Sequence, residues 1–129
     1  MSNSILIVDD SRVQLMLVSN ILKEVFPQYD VLSYTSPINA LEEIKSKGVK
    51  IHFALIDYNM EGMSGIELIE QLLHCDFSPV DVSRVSLLSA NIQEAVQNKA
   101  SDLGVDFIAK PFDREKLVLF LDKKGISHG

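Results

Sequence analysis

A chain of 129 residues with 47% hydrophobic side chains and a mean hydropathy of +0.14 has the size and apolar content of one folded domain, which excludes a disordered tail or a disulfide-stapled miniprotein. Its 12 basic residues face 18 acidic ones for a formal charge of −6, so there is no basic footprint for direct nucleic-acid binding or for anionic lipid. Cys75 is the single cysteine, which rules out an internal disulfide and a cysteine-rich zinc site and fits a small buried hydrophobe in a reducing compartment. No apolar run approaches the roughly 20 residues of a membrane span. Met1-Ser2-Asn3-Ser4 also lacks the basic and long apolar parts of a signal peptide, so the expectation is a soluble, cytoplasmic protein without membrane insertion.

Ile5-Leu6-Ile7-Val8 is aliphatic without alternation, the pattern of a strand covered on both faces, and it stops at Asp9-Asp10. From Arg12 to about Val25, Leu15, Val18, Leu22 and Val25 recur at three- and four-residue steps and predict an amphipathic helix ending before Pro27. Val31–Tyr34 reads as a second strand. Ser36-Pro37 then supplies an N-cap and first helical position for a helix with Ile38, Leu41 and Ile44 inward and Gly48 at its end. Phe53–Ile56 is a third apolar strand, again closed by an aspartate, Asp57. Ser64 and Glu67 stand at capping-box spacing before a stripe of Ile66, Ile69 and Leu73. A polar connection from His74 to Ser83 leads to strand Val85–Leu88, closed by Ser89. Asn91 with Glu94 is placed to cap a helix bearing Ile92, Val96, Ala100 and Leu103, which Gly104 ends. Val105–Ala109 is the fifth strand, followed by Lys110-Pro111 and a helix from near Asp113 with Leu117, Phe120 and Leu121 inward.

Five strands alternating with five helices imply parallel pairing through right-handed crossovers, an α/β doubly wound fold filling residues 1–129 as a single domain. In such a sheet ligands gather beyond the carboxyl ends of the strands. Those ends carry Asp9 and Asp10, Asp57, Ser89 and Lys110. Three carboxylates brought together repel one another unless a cation or proton intervenes. Oxygen-only ligands favour a hard ion such as Mg²⁺, which completes its shell with water and phosphate oxygens. Lys110 adds a positive charge and Ser89 a hydroxyl donor, and together they make a cradle for a phosphoryl group. Asp57 is then placed to act as a nucleophile toward phosphorus.

Each residue has a plainer reading in isolation. Asp9-Asp10 and Asp57 fit turn or cap roles, Ser89 fits a helix entry, and Lys110 fits a solvated side chain. Phe107 reads as a strand aromatic, and Met60 and Met63 as packing residues in a mobile loop. His52, His74 and His128 share no metal-ligand spacing.

The four strand-end motifs taken together overturn those readings. Asp9-Asp10, Asp57-Tyr58-Asn59-Met60 with Met63 and Gly65, Ser89-Ala90 and Lys110-Pro111-Phe112, in that order, resemble the receiver domain of two-component response regulators over essentially the whole chain. The resemblance implies strand order 2-1-3-4-5 and a cis Lys110-Pro111 bond. It implies Asp57 as phosphoacceptor, and Mg²⁺ held by Asp10, Asp57 and the Asn59 carbonyl, with Asp9 acting through water. Ser89 and Lys110 would bind phosphoryl oxygens, and Phe107 would be the switch aromatic. Glu61 stands where the family commonly has proline, and Asn91, two after Ser89, occupies a position that in the family influences how fast the acyl phosphate is hydrolysed.

The reading is therefore a stand-alone receiver that takes a phosphoryl group from a sensor histidine kinase or a histidine phosphotransfer protein. It would signal by binding a downstream protein through helix four, strand five and helix five, where Gln93, Gln97 and Asn98 lie, with a phosphorylation-dependent dimer left open. An aspartate-nucleophile Mg²⁺ phosphatase would commonly place a second aspartate where Asn59 stands. A receiver-shaped adaptor without phosphorylation would not need the intact acidic set. Turnover of a small substrate is not expected beyond self-phosphorylation and autodephosphorylation at Asp57.

Overall fold

The computed structural model describes residues 4–48, 50–74, 84–90 and 93–126. Strands and helices alternate through it: β1 (Ser4–Val8), α1 (Arg12–Val25), β2 (Asp30–Tyr34), α2 (Pro37–Lys47), β3 (Ile51–Asp57), α3 (Gly65–Leu73), β4 (Val85–Ser89), α4 (Glu94–Leu103), β5 (Asp106–Ala109) and α5 (Arg114–Lys123). The sheet runs β2-β1-β3-β4-β5 with every pairing parallel. This is the doubly wound, flavodoxin-like order that the resemblance implies. Register brings the strand ends level: Val8 pairs with Tyr34 and Ile56, Asp57 with Leu88, and Ser89 with Ala109. The polar residues that close the strands therefore converge at one edge.

Successive strand side chains point to opposite faces, so an unbroken apolar run serves two cores at once. Leu6, Val8, Ala54 and Ile56 pack with Ala40 and Ile44 of α2, Leu68, Ile69 and Leu72 of α3, and Val96 and Ala100 of α4. Ile5, Ile7, Phe53 and Leu55 pack on the other face with Leu15, Val18 and Leu22 of α1 and Leu117 and Leu121 of α5. At about 1.5–3 kcal/mol per fully buried aliphatic side chain, these two layers hold the central strands rigidly beneath the strand-end residues.

The helix starts follow from side-chain capping, which is worth about 1 kcal/mol each. Ser11, Ser36, Ser64 and Asp113 accept hydrogen bonds from the backbone N–H groups of Gln14, Asn39, Glu67 and Lys116, at 3.3, 3.2, 3.2 and 2.8 Å. Gly48 and Gly104 end α2 and α4 in the left-handed conformation at φ of 59° and 78°.

Several expectations shift. In α2 the buried face runs through Pro37, Ala40 and Ile44, and Ile38, about 100° of helix on from Pro37, lies off it and is 47% exposed. In α3 the buried stripe is Leu68, Ile69 and Leu72; Ile66 and Leu73 flank it half-buried. Leu103 and Phe120 likewise border the cores half-buried. The N-cap of α4 is Gln93, without a side-chain capping bond, in place of the expected Asn91. Asn91, Ile92, His128, Cys75 and most of the connection before Ser83 lie outside the described residues. Among the described residues no helix is long and apolar enough to cross a membrane.

Candidate functional site

Asp9 follows the last residue of β1 and is 1% exposed, whereas its neighbour Asp10 is exposed. The burial of Asp9 is stabilised locally: its Oδ1 accepts the Ser11 N–H at 2.9 Å, an Asx turn that lets Ser11 both steady Asp9 and cap α1. Asp57 ends β3 and is 6% exposed. The peptide after it is pinned on both sides, since the Tyr58 N–H donates to the Leu88 carbonyl at 2.8 Å and the Tyr58 carbonyl accepts from the Gly65 N–H at 2.9 Å.

Lys110 reaches back from the end of β5 to join these carboxylates. Its Nζ donates to Asp9 Oδ2 at 2.9 Å and to Asp57 Oδ1 at 2.8 Å. The Lys110 N–H donates to the Ser89 carbonyl at 2.8 Å, which ties β5 to β4 at the mouth of the site. The Lys110-Pro111 bond is cis.

Burial dominates the electrostatics here. Asp57 is pushed from 3.8 up to about 6, first by loss of water around its carboxylate; the Lys110 hydrogen bond opposes this, and the nearby charge of Asp9 adds to it. For Lys110, burial alone would lower the pKa, but the hydrogen bonds it donates to Asp57 and Asp9 overcome this and hold the ammonium above its ordinary value. The hollow thus keeps one firm cation and an excess of carboxylate.

Carboxylate oxygens of Asp9, Asp10 and Asp57 all lie within 4.8 Å of one another. Oxygens sharing one octahedral ion at 2.0–2.1 Å stand roughly 3 to 4.2 Å apart, a spacing close to that of this set. The donor set, all oxygen and over-rich in negative charge, fits that ion.

Ser89 ends β4 and is 2% exposed, one position beyond the Asp57–Leu88 pairing. Asn59 lies exposed in the β3–α3 loop. Phe107 pairs with Leu87 two residues before the end of β5 and is half-buried against the α2–α4 core.

The comparisons with known proteins bear directly on this arrangement. The sequence profile described as the response regulator receiver domain matches residues 5–122. The chain belongs to the response regulator receiver domain family.

Among relatives of this receiver, the chemotaxis protein CheY of Listeria monocytogenes serovar 1/2a is 31% identical over 121 residues, covering 92% of this chain and 95% of that one. The cyclic di-GMP phosphodiesterase response regulator RpfG of Xanthomonas campestris pv. campestris is 27% identical over 115 residues, so this receiver matches only 29% of that protein's length. The solved CheY-like receiver domain protein of Methanospirillum hungatei JF-1 superposes with a TM-score of 0.79 at 23% identity, covering 96% of this chain and 94% of that one. At that identity the likeness concerns the fold.

Sequence reasoning did not anticipate two features of the receiver's site. The Asx turn from Asp9 to Ser11 had a signal in the Asp-x-Ser spacing. Gly65, noted only as part of a motif, touches the Asp57 backbone through its position immediately after the α3 cap. Met60 and Met63, read as packing residues, do pack at the edge of the α2–α4 core. His52 stacks on Tyr29 with ring centroids 5.0 Å apart and accepts from Arg84 Nη1 at 2.7 Å. His52 and the exposed His74 belong to no metal cluster among the described residues.

Proposed function

We propose that residues 1–129 act as one cytoplasmic receiver module that accepts a phosphoryl group onto Asp57 from the phosphohistidine of a sensor histidine kinase or a histidine phosphotransfer protein. The observation that carries this reading is the bridge of Lys110 between Asp9 and Asp57 at 2.9 and 2.8 Å, with Asp10 at the open rim. A carboxylate oxygen of Asp57 attacks phosphorus, the bond from phosphorus to the imidazole nitrogen breaks, and the imidazole leaves with the nitrogen's electron pair. Asp10, Asp57 and the Asn59 carbonyl would hold Mg²⁺, with Asp9 contributing through water, and the ion supplies charge neutralisation for the phosphoryl oxygens. Lys110 keeps its charge in the hollow and orients an oxygen of the incoming group, while the Ser89 hydroxyl donates to another.

The donor has an apolar footing beside the rim. Val13, Met16 and Leu17 of α1 are 71%, 65% and 56% exposed, at helical spacing just after Asp10. For output, Ser89 moving toward the phosphoryl oxygens frees space that Phe107 can fill. This changes the face of α4, β5 and α5, where Gln93, Gln97 and Asn98 are exposed, and with it the affinity for a downstream protein.

The test is intact-mass spectrometry after incubation with Mg²⁺ and a small acyl-phosphate donor. An acid-stable, base-labile phosphoryl adduct that Asp57→Asn abolishes supports the reading. Multiple turnover of phosphate esters would replace it with a phosphatase, and absence of both with a phosphate-independent adaptor.

A further inference from the structure

We propose that Gly65 is a positioning residue for Asp57. The role rests on the phosphoacceptor reading above. Gly65 is the first residue of α3, and a β-carbon placed on it would fall well inside 3.0 Å of the Asp57 carbonyl oxygen, 2.9 Å from Tyr58 Cα and 3.0 Å from the Asp57 carbonyl carbon. All three atoms are backbone, so no side-chain rotation relieves the overlap. Either the start of α3 retreats or the end of β3 moves.

The end of β3 is the part that cannot move without consequence. The Gly65 N–H holds the Tyr58 carbonyl at 2.9 Å, and the Tyr58 N–H is held by the Leu88 carbonyl at 2.8 Å. Asp57 is thereby clamped between α3 and β4, while its hydrogen-bond partner Lys110 arrives from β5 and Asp9 from β1. A displaced Asp57 does not take those partners along, because they hang on other strands. Removing the β-carbon at Gly65 is what allows the helix to press directly on the strand end and fix the carboxylate relative to the ammonium.

A glycine needed only for stability would behave differently. Gly48 supplies the control: it sits at φ 59°, where a side chain is strained, yet among the described residues nothing lies within 4 Å of its would-be β-carbon, and it stands before the amino end of β3 rather than at the carboxyl ends that carry the site. Gly48→Ala therefore costs stability without a route to the site.

The experiment compares full-length wild type, Gly65→Ala and Gly48→Ala at a temperature where circular dichroism shows each folded. Three quantities are read: the Mg²⁺ dissociation constant by calorimetry, the rate of adduct formation with a small acyl phosphate at saturating Mg²⁺, and the NMR signal of the Lys110 ammonium without Mg²⁺. Gly65→Ala is expected to weaken Mg²⁺ binding and slow the saturated rate by roughly 10- to 100-fold, as a misplacement near 1 Å does, and to shift the Lys110 signal. Gly48→Ala should leave all three close to wild type. Equal behaviour of the two variants overturns the proposal. If Gly65→Ala does not fold in buffer, the measurements are repeated in sucrose, which favours the compact state. Failure to fold there as well assigns Gly65 a structural role and also overturns it. Should wild type bind Mg²⁺ but form no adduct, the phosphoacceptor reading fails, while the Mg²⁺ affinity and Lys110 signal still decide the role of Gly65.

Discussion

Replacing Asp57 with asparagine should make the Mg²⁺-free protein more stable at neutral pH, although it removes the proposed phosphoacceptor. Burial raises the Asp57 pKa from 3.8 to about 6, so ionising it costs more in the folded chain than in the unfolded one. The cost is absent below about pH 4, where both states are protonated, grows as pH rises through about 6, and is constant above. At about 1.4 kcal/mol per pKa unit the full difference is roughly 3 kcal/mol, and water at the Asp10 rim screens it to about 1–3 kcal/mol. Asparagine imitates the protonated acid and keeps an oxygen for Lys110. Urea unfolding with a chelator, from pH 4 to pH 8, should show Asp57→Asn and wild type converging at the acid end and the variant ahead by that amount at pH 7.5. Added Mg²⁺ should then stabilise wild type selectively, since a ligand bound only to the folded state adds stability with concentration. A gap that does not change with pH, or a wild type that is the more stable at pH 7.5 without metal, would refute the electrostatic reasoning.

Other consequences can be checked separately. Lys110→Ala leaves Asp9 and Asp57 without their shared cation, so adduct formation should slow by about 10²-fold or more, measured by intact mass at fixed Mg²⁺. His52 is held below its ordinary pKa of 6.5, first by burial and then by the Arg84 charge, so its NMR titration midpoint should lie under 6.5 and Arg84→Ala should raise it. Because the folded state prefers the neutral ring, its contribution to stability is complete above pH 6.5 and lost as pH falls toward the shifted midpoint. Ser86 is fully buried in β4 with no hydrogen-bond partner for its Oγ among the described residues, so Ser86→Ala should raise unfolding stability by about 1 kcal/mol in urea. Leu17→Ser should slow phosphoryl transfer from a protein donor while leaving the rate with a small acyl phosphate unchanged, which would separate docking from chemistry.

The architecture was legible because its signals are local and repeated. Two of the expected caps, Ser36 and Ser64, and the left-handed glycines Gly48 and Gly104 are each decided by a residue and its immediate neighbours. The site was legible as a set because parallel strands must end at one edge, so Asp9, Asp10, Asp57 and Lys110 could be gathered without knowing any distance. What the sequence withheld depends on helix rotation and on backbone contact. In α2 the expected face through Ile38, Leu41 and Ile44 and the observed one through Pro37, Ala40 and Ile44 both follow three- and four-residue steps from the same start, and only packing against the sheet decides between them. At α4 the Asn91–Glu94 spacing suggested a cap at Asn91, but the helix starts at Glu94 with Gln93 as its N-cap. Nor does the pair Asp9-Asp10 reveal which member is buried; the strand's alternation and the Ser11 N–H settle that in three dimensions.

The central claim, that these strand ends form one phosphoryl-accepting hollow, is tested most directly by mapping the modified residue. The protein is incubated with Mg²⁺ and the donor, the acyl phosphate is reduced with borohydride, and the reduced side chain is located by peptide mass spectrometry. The account predicts reduction at residue 57, dependent on Mg²⁺ and strongly diminished in Lys110→Ala. Modification at another residue, or at Asp57 with no dependence on Mg²⁺ or Lys110, would contradict it.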